Sequence, residues 1–183
     1  MPKPKPWLNN LAGVLDQSPQ KVFGRVELRA LLLREQTQLR IPPSITLTRL
    51  IETLHEQGKL HKVELRREER KTSLGAKTRY AWGEVSAYGI GLSLAKGGYL
   101  SHASAVFLHA LTEQVPKTIY VNKEQSPKPP SRGALSQPAI DRAFRNASRT
   151  SKYVFVSDAN RFVLLSGKNT GNLGVSGLQG PTE

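Results

Sequence analysis

Between Ser44 and Trp82 the spacing of apolar residues changes from helical to alternating, and this change restricts the available folds more than any other feature of the chain. Leu47, Leu50, Ile51 and Leu54 recur at i, i+3, i+4 and i+7, which is one face of a helix. Ser44 stands before them as an N-cap, and Gly58 follows where a left-handed residue closes a helix. The opposite face carries Thr46, Thr48, Arg49, Glu52, Thr53 and Glu56 toward solvent. The period then drops to two: Val63 and Leu65 alternate with Lys62, Glu64 and Arg66, while Thr78, Tyr80 and Trp82 alternate with Arg79 and Ala81. The pattern predicts a helix followed by two strands that flank a basic tip over residues 67–77.

Two further helices precede it. Leu8, Leu11, Ala12 and Leu15 fall at helical spacing before Gln17, Ser18 and Pro19. A second helix starts near Arg25, carries Leu28, Leu31, Leu32 and Glu35, and is stopped by Ile41, Pro42 and Pro43. Three helices and a hairpin follow the order of a winged helix-turn-helix, in which the third helix enters the major groove and the hairpin lies along phosphates or a neighbouring groove.

On that reading Ser44, Thr46, Thr48, Arg49 and Thr53 are the candidate DNA-reading residues, and Lys62, Arg66, Arg67, Arg70, Lys71, Lys77 and Arg79 the candidate wing contacts. Arg49 carries the most weight. It sits among threonines, whose short side chains let a nucleic-acid backbone approach closely, and its competing role is an ion pair with Glu52 or Glu56. A charged hairpin can also be a plain solvated loop. Between Lys59 and Arg79, however, eight basic residues face three acidic ones, and the surplus favours phosphate contact. Tyr80 and Trp82 are expected to anchor the hairpin on the core.

The formal net charge of +13 over 183 residues implies a polyanionic neighbour, since so much uncompensated charge repels itself. Sixteen basic and nine acidic residues fall in the first 84 positions and eleven and five in the rest, so the surplus is not confined to the hairpin. The chain has no cysteine, which excludes disulfides, thiolate zinc sites and a cysteine nucleophile. The longest apolar runs, such as AVFL and FVLL, are too short to span a bilayer, and no helix pairs lysines with bulky aromatics in the manner of a membrane-surface anchor. The expected setting is the cytoplasm.

A boundary is expected near Gly83, giving a DNA-binding domain over residues 1–84 and a mixed α/β domain over 85–183, an α+β chain overall. In the second half the spacing predicts a helix over 86–96 despite Gly89 and Gly91, and another after Ser101 with Ala105, Val106, Leu108 and Leu111 packed inward. A strand over 117–121, a loop rich in Pro, Lys and Ser over 123–137, and a helix from Pro138 to Asn146 come next. Strands starting at Tyr153 and Arg161, joined by Asp158-Ala159-Asn160, and a glycine-rich tail complete it. Catalytic signals are thin. His102 and His109 lie two turns apart, about 10 Å along a helix axis, too far to share one metal ion. GKNTGNLG departs from a phosphate loop, with Phe162 where the first glycine belongs and Asn169 where Ser or Thr should follow the lysine. The expectation is a protein that is not an enzyme and uses no cofactor or metal.

GGYLSHASAVFLHALTEQVPKTIYVNKEQSPKP, LSQPAIDRAFRNASRTSKYVFV and VLLSGKNTGNLGV resemble the AbiEi-type antitoxins and viral-defence transcriptional regulators of bacterial abortive-infection systems. The resemblance runs from about residue 25 onward and is most specific between Gly98 and Asn122. It implies an N-terminal winged helix-turn-helix that binds inverted repeats of double-stranded DNA in its own promoter, and a type IV toxin-antitoxin pairing with a nucleotidyltransferase-like toxin. It also implies that YLSHASAVFLHAL is a structural signature of a non-enzymatic second domain. The family pattern continues beyond GKNTGNLGV whereas this sequence stops at Glu183, so the expectation is a short member that keeps DNA binding. A reading of a different class stays open: a protein-interaction or RNA-binding module whose basic surface meets an acidic partner.

Overall fold

The structure is a computed structural model that describes residues 5–68, 75–127, 129, 136–145, 151–157 and 160–177. Among these, six helices and seven strands form a mixed α+β fold. The order is α1 (Pro6–Gln17), β1 (Val22–Phe23), α2 (Arg25–Glu35), α3 (Leu47–Glu56), β2 (Leu60–Arg67), β3 (Lys77–Trp82), α4 (Ala87–Ser93), β4 (Tyr99–Ser101), α5 (His102–Leu108), β5 (Thr118–Asn122), α6 (Gln137–Arg145), β6 (Val154–Val156) and β7 (Arg161–Leu165). The strands join in one sheet of order β1-β3-β2-β6-β7-β5-β4. Every pair is antiparallel except β5 with β7.

The first core lies under α1, α2 and α3. Trp7, Leu8, Leu11 and Leu15 of α1 meet Leu28 and Leu32 of α2 and Leu50 and Leu54 of α3, and Leu60, Tyr80 and Trp82 close the base from the strands. Each fully buried leucine contributes about 1.5–3 kcal/mol relative to exposure. Tyr80 and Trp82 anchor the hairpin as their alternation predicts, and the Trp82 indole also donates to Asp16 Oδ1 at 2.7 Å. That bond, with the charges of Lys59 and Lys21 adding to it against a small burial penalty, holds the Asp16 carboxyl below its ordinary range. The two-residue strand β1, too short to show a period, pairs Val22 with Ala81 and Phe23 with Tyr80.

The helix ends refine the sequence reading. Thr46, not Ser44, caps α3: its hydroxyl accepts from the Arg49 N–H at 3.2 Å, because the turn closed by the Ile45 N–H on the Pro42 carbonyl delays the helix by two residues. Gly58, with φ of 71°, ends the helix as expected. Helix α2 stops at Glu35, whose buried carboxylate accepts from Arg34 Nε at 2.7 Å.

A second core gathers Leu65, Leu94, Ile119, Val121, Phe155 and Phe162. Leu65 belongs to the hairpin, so the strand pair serves both cores. Paired residues share a face of the sheet, and Leu60, Tyr80 and Trp82 face the helices while Val63, Leu65, Lys77 and Arg79 lie on the other side. Past Leu65 the same strand leaves β3 and pairs with β6, Arg66 opposite Val156 and Arg67 opposite Phe155. The expected boundary at Gly83 therefore separates the two halves in sequence, but one continuous sheet crosses it.

Helix α4 packs flat on β5 and β7, and Gly91 is what lets it: a Cβ there would sit 3.1–3.3 Å from Ile119, Phe162 and Val121. The helix after Ser101 does not bury every residue the spacing assigned to packing. Val106 is 40% exposed and Leu111, beyond the helix end, 75% exposed, because α5 covers β5 with the face that carries Ser104. The Ser104 hydroxyl accepts from the Tyr120 N–H at 3.0 Å. Among the described residues no helix is long and apolar enough to cross a membrane. The tip residues Arg70 and Lys71, and Asp158 and Ala159 of the expected β6–β7 turn, lie outside the described residues.

Candidate nucleic-acid interface

Helix α3 points its apolar stripe into the first core, and this leaves Thr48, Arg49 and Glu52 exposed on its outer side. The Arg49 guanidinium touches Glu52 Oε2 at 3.4 Å through one nitrogen, the pairing weighed in the sequence. Both partners are more than half exposed, so the contact is worth at most a few tenths of a kcal/mol and yields readily to a phosphate or a base edge. Arg25, at the first turn of α2, donates from Nη2 to Thr48 Oγ1 at 3.4 Å. That cation joins the α3 surface although 23 positions separate the two residues. Arg29 follows it one turn along α2 and is also exposed.

Two candidate threonines leave this face. Thr53 is only 5% exposed and donates its hydroxyl to the Arg49 carbonyl at 2.8 Å, the backbone bond one turn back that threonine makes when it sits at the edge of a buried stripe. Thr46 is exposed, yet its hydroxyl is engaged as the cap. Ser44 is exposed in the preceding turn. The structure thus gathers Thr48, Arg49 and Arg25, and the last of these escaped the sequence because only the packing of α2 beside α3 brings it near.

The hairpin cations divide by strand face. Lys62 and Arg66 lie on the side that continues outward from Tyr80 and Trp82, and both are exposed. Lys62 Nζ pairs with Glu64 Oε1, and this partner raises the lysine and lowers the carboxyl from their ordinary values. On the other side the expected contacts with nucleic acid meet protein instead. Arg79 donates from Nε and Nη2 to the Ser93 carbonyl at 3.3 and 3.1 Å, and from Nε to the Ser93 hydroxyl at 3.2 Å. Burial pulls its guanidinium below the ordinary value, offset in part by the charge of Glu27. Lys77 Nζ reaches the Leu94 carbonyl at 3.4 Å and lies 5.1 Å over the Phe155 ring; burial, then the neighbouring Arg79 charge, lowers it as well.

Both residues place a cation against carbonyls at the C-terminal end of α4, where such charge is favoured. Arg67 donates to the Lys152 carbonyl from Nη2 at 3.0 Å and from Nε at 3.3 Å, and its guanidinium lies 5.0 Å over the Tyr153 ring. Glu68 then accepts from Arg161 Nε and Nη2 at 2.7 and 2.8 Å. Alternation puts one set of side chains on each face of a strand, and here the second half of the chain covers one of those faces.

Among the described residues no group of three or more His, Asp or Glu side chains is arranged to hold a metal ion. What the geometry defines is an α+β protein in which Arg25 and Arg49 flank Thr48 on an exposed helix face that also carries Glu52, beside a hairpin that shows Lys62 and Arg66 on its outer face. The chain matches no protein-family model, and no curated protein matches it.

Proposed function

We propose that residues 1–84 form a winged helix-turn-helix and that the protein is a sequence-specific double-stranded DNA-binding transcriptional repressor. In this reading it acts on its own promoter as the antitoxin of a type IV, abortive-infection toxin-antitoxin pair. The order α1-β1-α2-α3-β2-β3 with a β1-β3-β2 sheet supports the first part. One observation carries the DNA reading: Thr48, Arg49 and Arg25 converge on the exposed side of α3, on the same core as the hairpin that presents Lys62 and Arg66. Helix α3 would read base edges and the outer hairpin face would meet phosphates. The antitoxin assignment, and with it a nucleotidyltransferase-like toxin as partner, rests on the sequence resemblance.

The engagement of Arg67, Lys77 and Arg79 within the protein favours a second reading, a module whose remaining basic surface takes RNA or an acidic protein. Salt and sequence separate the two. A duplex from the protein's own promoter should bind far more tightly than a scrambled duplex, with affinity falling steeply as salt rises. Equal affinity for any duplex, or a preference for RNA, would reject specific repression.

A further inference from the structure

An open cleft of about 820 Å³ lies where the end of β4, the residues just before β6 and the segment after β7 meet, away from α3. None of the described residues lining it is acidic. Lys152 supplies a cation, and Tyr153 and His102 supply exposed rings. The Tyr153 residue is 60% exposed even though the Arg67 guanidinium lies over its ring. His102 is held at φ of 53°, a left-handed conformation costly for a residue with a side chain, and its Nδ1 is 3.0 Å from the Ser101 hydroxyl. Its ring also packs on Tyr120, with centroids 5.2 Å apart and the planes tilted by 33°. The polar floor is fixed before anything binds: Asn122 donates to the Tyr99 hydroxyl at 2.6 Å and accepts from the Gly167 N–H at 2.9 Å.

Exposed rings beside a cation and hydrogen-bond donors, with no carboxylate to repel an anion, are the elements that recognise an unpaired base and its phosphate. We propose that this cleft binds a nucleotide. The base stacks on Tyr153 or His102 and the phosphate pairs with Lys152. A free nucleotide and one unit of a single strand share this chemistry. The site is independent of the duplex reading proposed above, since none of its residues lies on α3 or the outer hairpin face. It does touch the hairpin through Arg67, which bonds the Lys152 carbonyl and covers the Tyr153 ring.

Titration calorimetry on the full chain, with ATP, GTP, CTP and UTP in turn and then a twelve-residue oligouridylate and oligodeoxythymidylate, tests it without any duplex. Saturable binding of at least one probe is expected, and which arm responds identifies the source of the nucleotide. Tyr153→Ala and Lys152→Ala should each weaken it at least about tenfold. His102→Gly, which suits the left-handed backbone, should weaken it too. Lys96→Ala removes an exposed cation outside the cleft and should leave binding at the native level. Near-UV circular dichroism checks the fold, and Lys152→Ala decides the question should Tyr153→Ala fail to fold. No saturable binding by any probe, binding indifferent to Lys152→Ala and Tyr153→Ala, or equal loss in Lys96→Ala would overturn the proposal.

Discussion

Helix α3 and the β2–β3 hairpin carry the cations that suggest a polyanion, yet the two elements use them differently. On α3 the apolar stripe occupies one side, so Arg49 stands in solvent with a single long contact to Glu52. The hairpin has two faces and each meets a core. Leu60, Tyr80 and Trp82 face the helices, and Val63 and Leu65 face α4 and the second half of the sheet. Lys77 and Arg79 share the second face and are drawn onto the end of α4. A helix with one buried stripe leaves its polar residues available. A strand face covered by a neighbouring helix does not, whatever its charge count.

The largest effect should come from Leu65→Ala, which empties a fully buried position shared by the hairpin and the second core. A loss of about 2–5 kcal/mol in a urea melt is expected. An unchanged melt would mean that the hairpin is not part of that core, and the comparison fails. Arg79→Ala comes next. Removing its bonds to Ser93 should cost about 1–3 kcal/mol of stability, while the protein that remains folded binds promoter duplex as before. Arg49→Ala should do the reverse: no change in the melt, and about 1–3 kcal/mol less discrimination between the promoter and a scrambled duplex in a binding titration. Should both variants lose stability, or both lose discrimination, the division between outer helix and engaged hairpin is wrong. Arg66→Ala gives a smaller effect, a salt slope lower by roughly one unit with all duplexes weakened alike.

Much of the fold was legible where a period was long enough to have a phase. Leu47, Leu50, Ile51 and Leu54 set α3, and Tyr80 and Trp82 identified the anchored side of β3. Two residues give no period, so β1 was silent until Ala81 and Tyr80 paired with it. The site was half legible. Thr48 and Arg49 face outward as their spacing requires. Thr53 does not, because it borders the buried stripe closely enough for its hydroxyl to bond the helix backbone. Arg25 joins the face only through interhelical packing, and the inward turn of Lys77 and Arg79 depends on α4, an element that follows in sequence. Local pattern states which face a side chain occupies; it cannot state what will cover that face.

The smallest effect concerns the far end of β2, where Arg161 holds Glu68 through a two-point fork. Hydrogen bonding from Arg161 is the main cause that lowers the Glu68 carboxyl below its ordinary 4.5; the arginine's charge adds to it and slight burial opposes it. A carboxyl depressed in the folded state leaves the unfolded chain binding more protons, so its contribution is complete above pH 4.5 and fades as pH falls through the folded value. Both side chains are 41% exposed, which limits the contribution to less than about 1 kcal/mol. Comparing native protein with Glu68→Gln in urea melts should therefore give a small difference at pH 7 that shrinks below pH 4.5. A difference that stays constant with pH would mean that the fork does not form in solution. The end of β2 would then lack this tie to β7, and Arg67 would stand closer to the outward availability of Arg49 than its bonds to the Lys152 carbonyl imply.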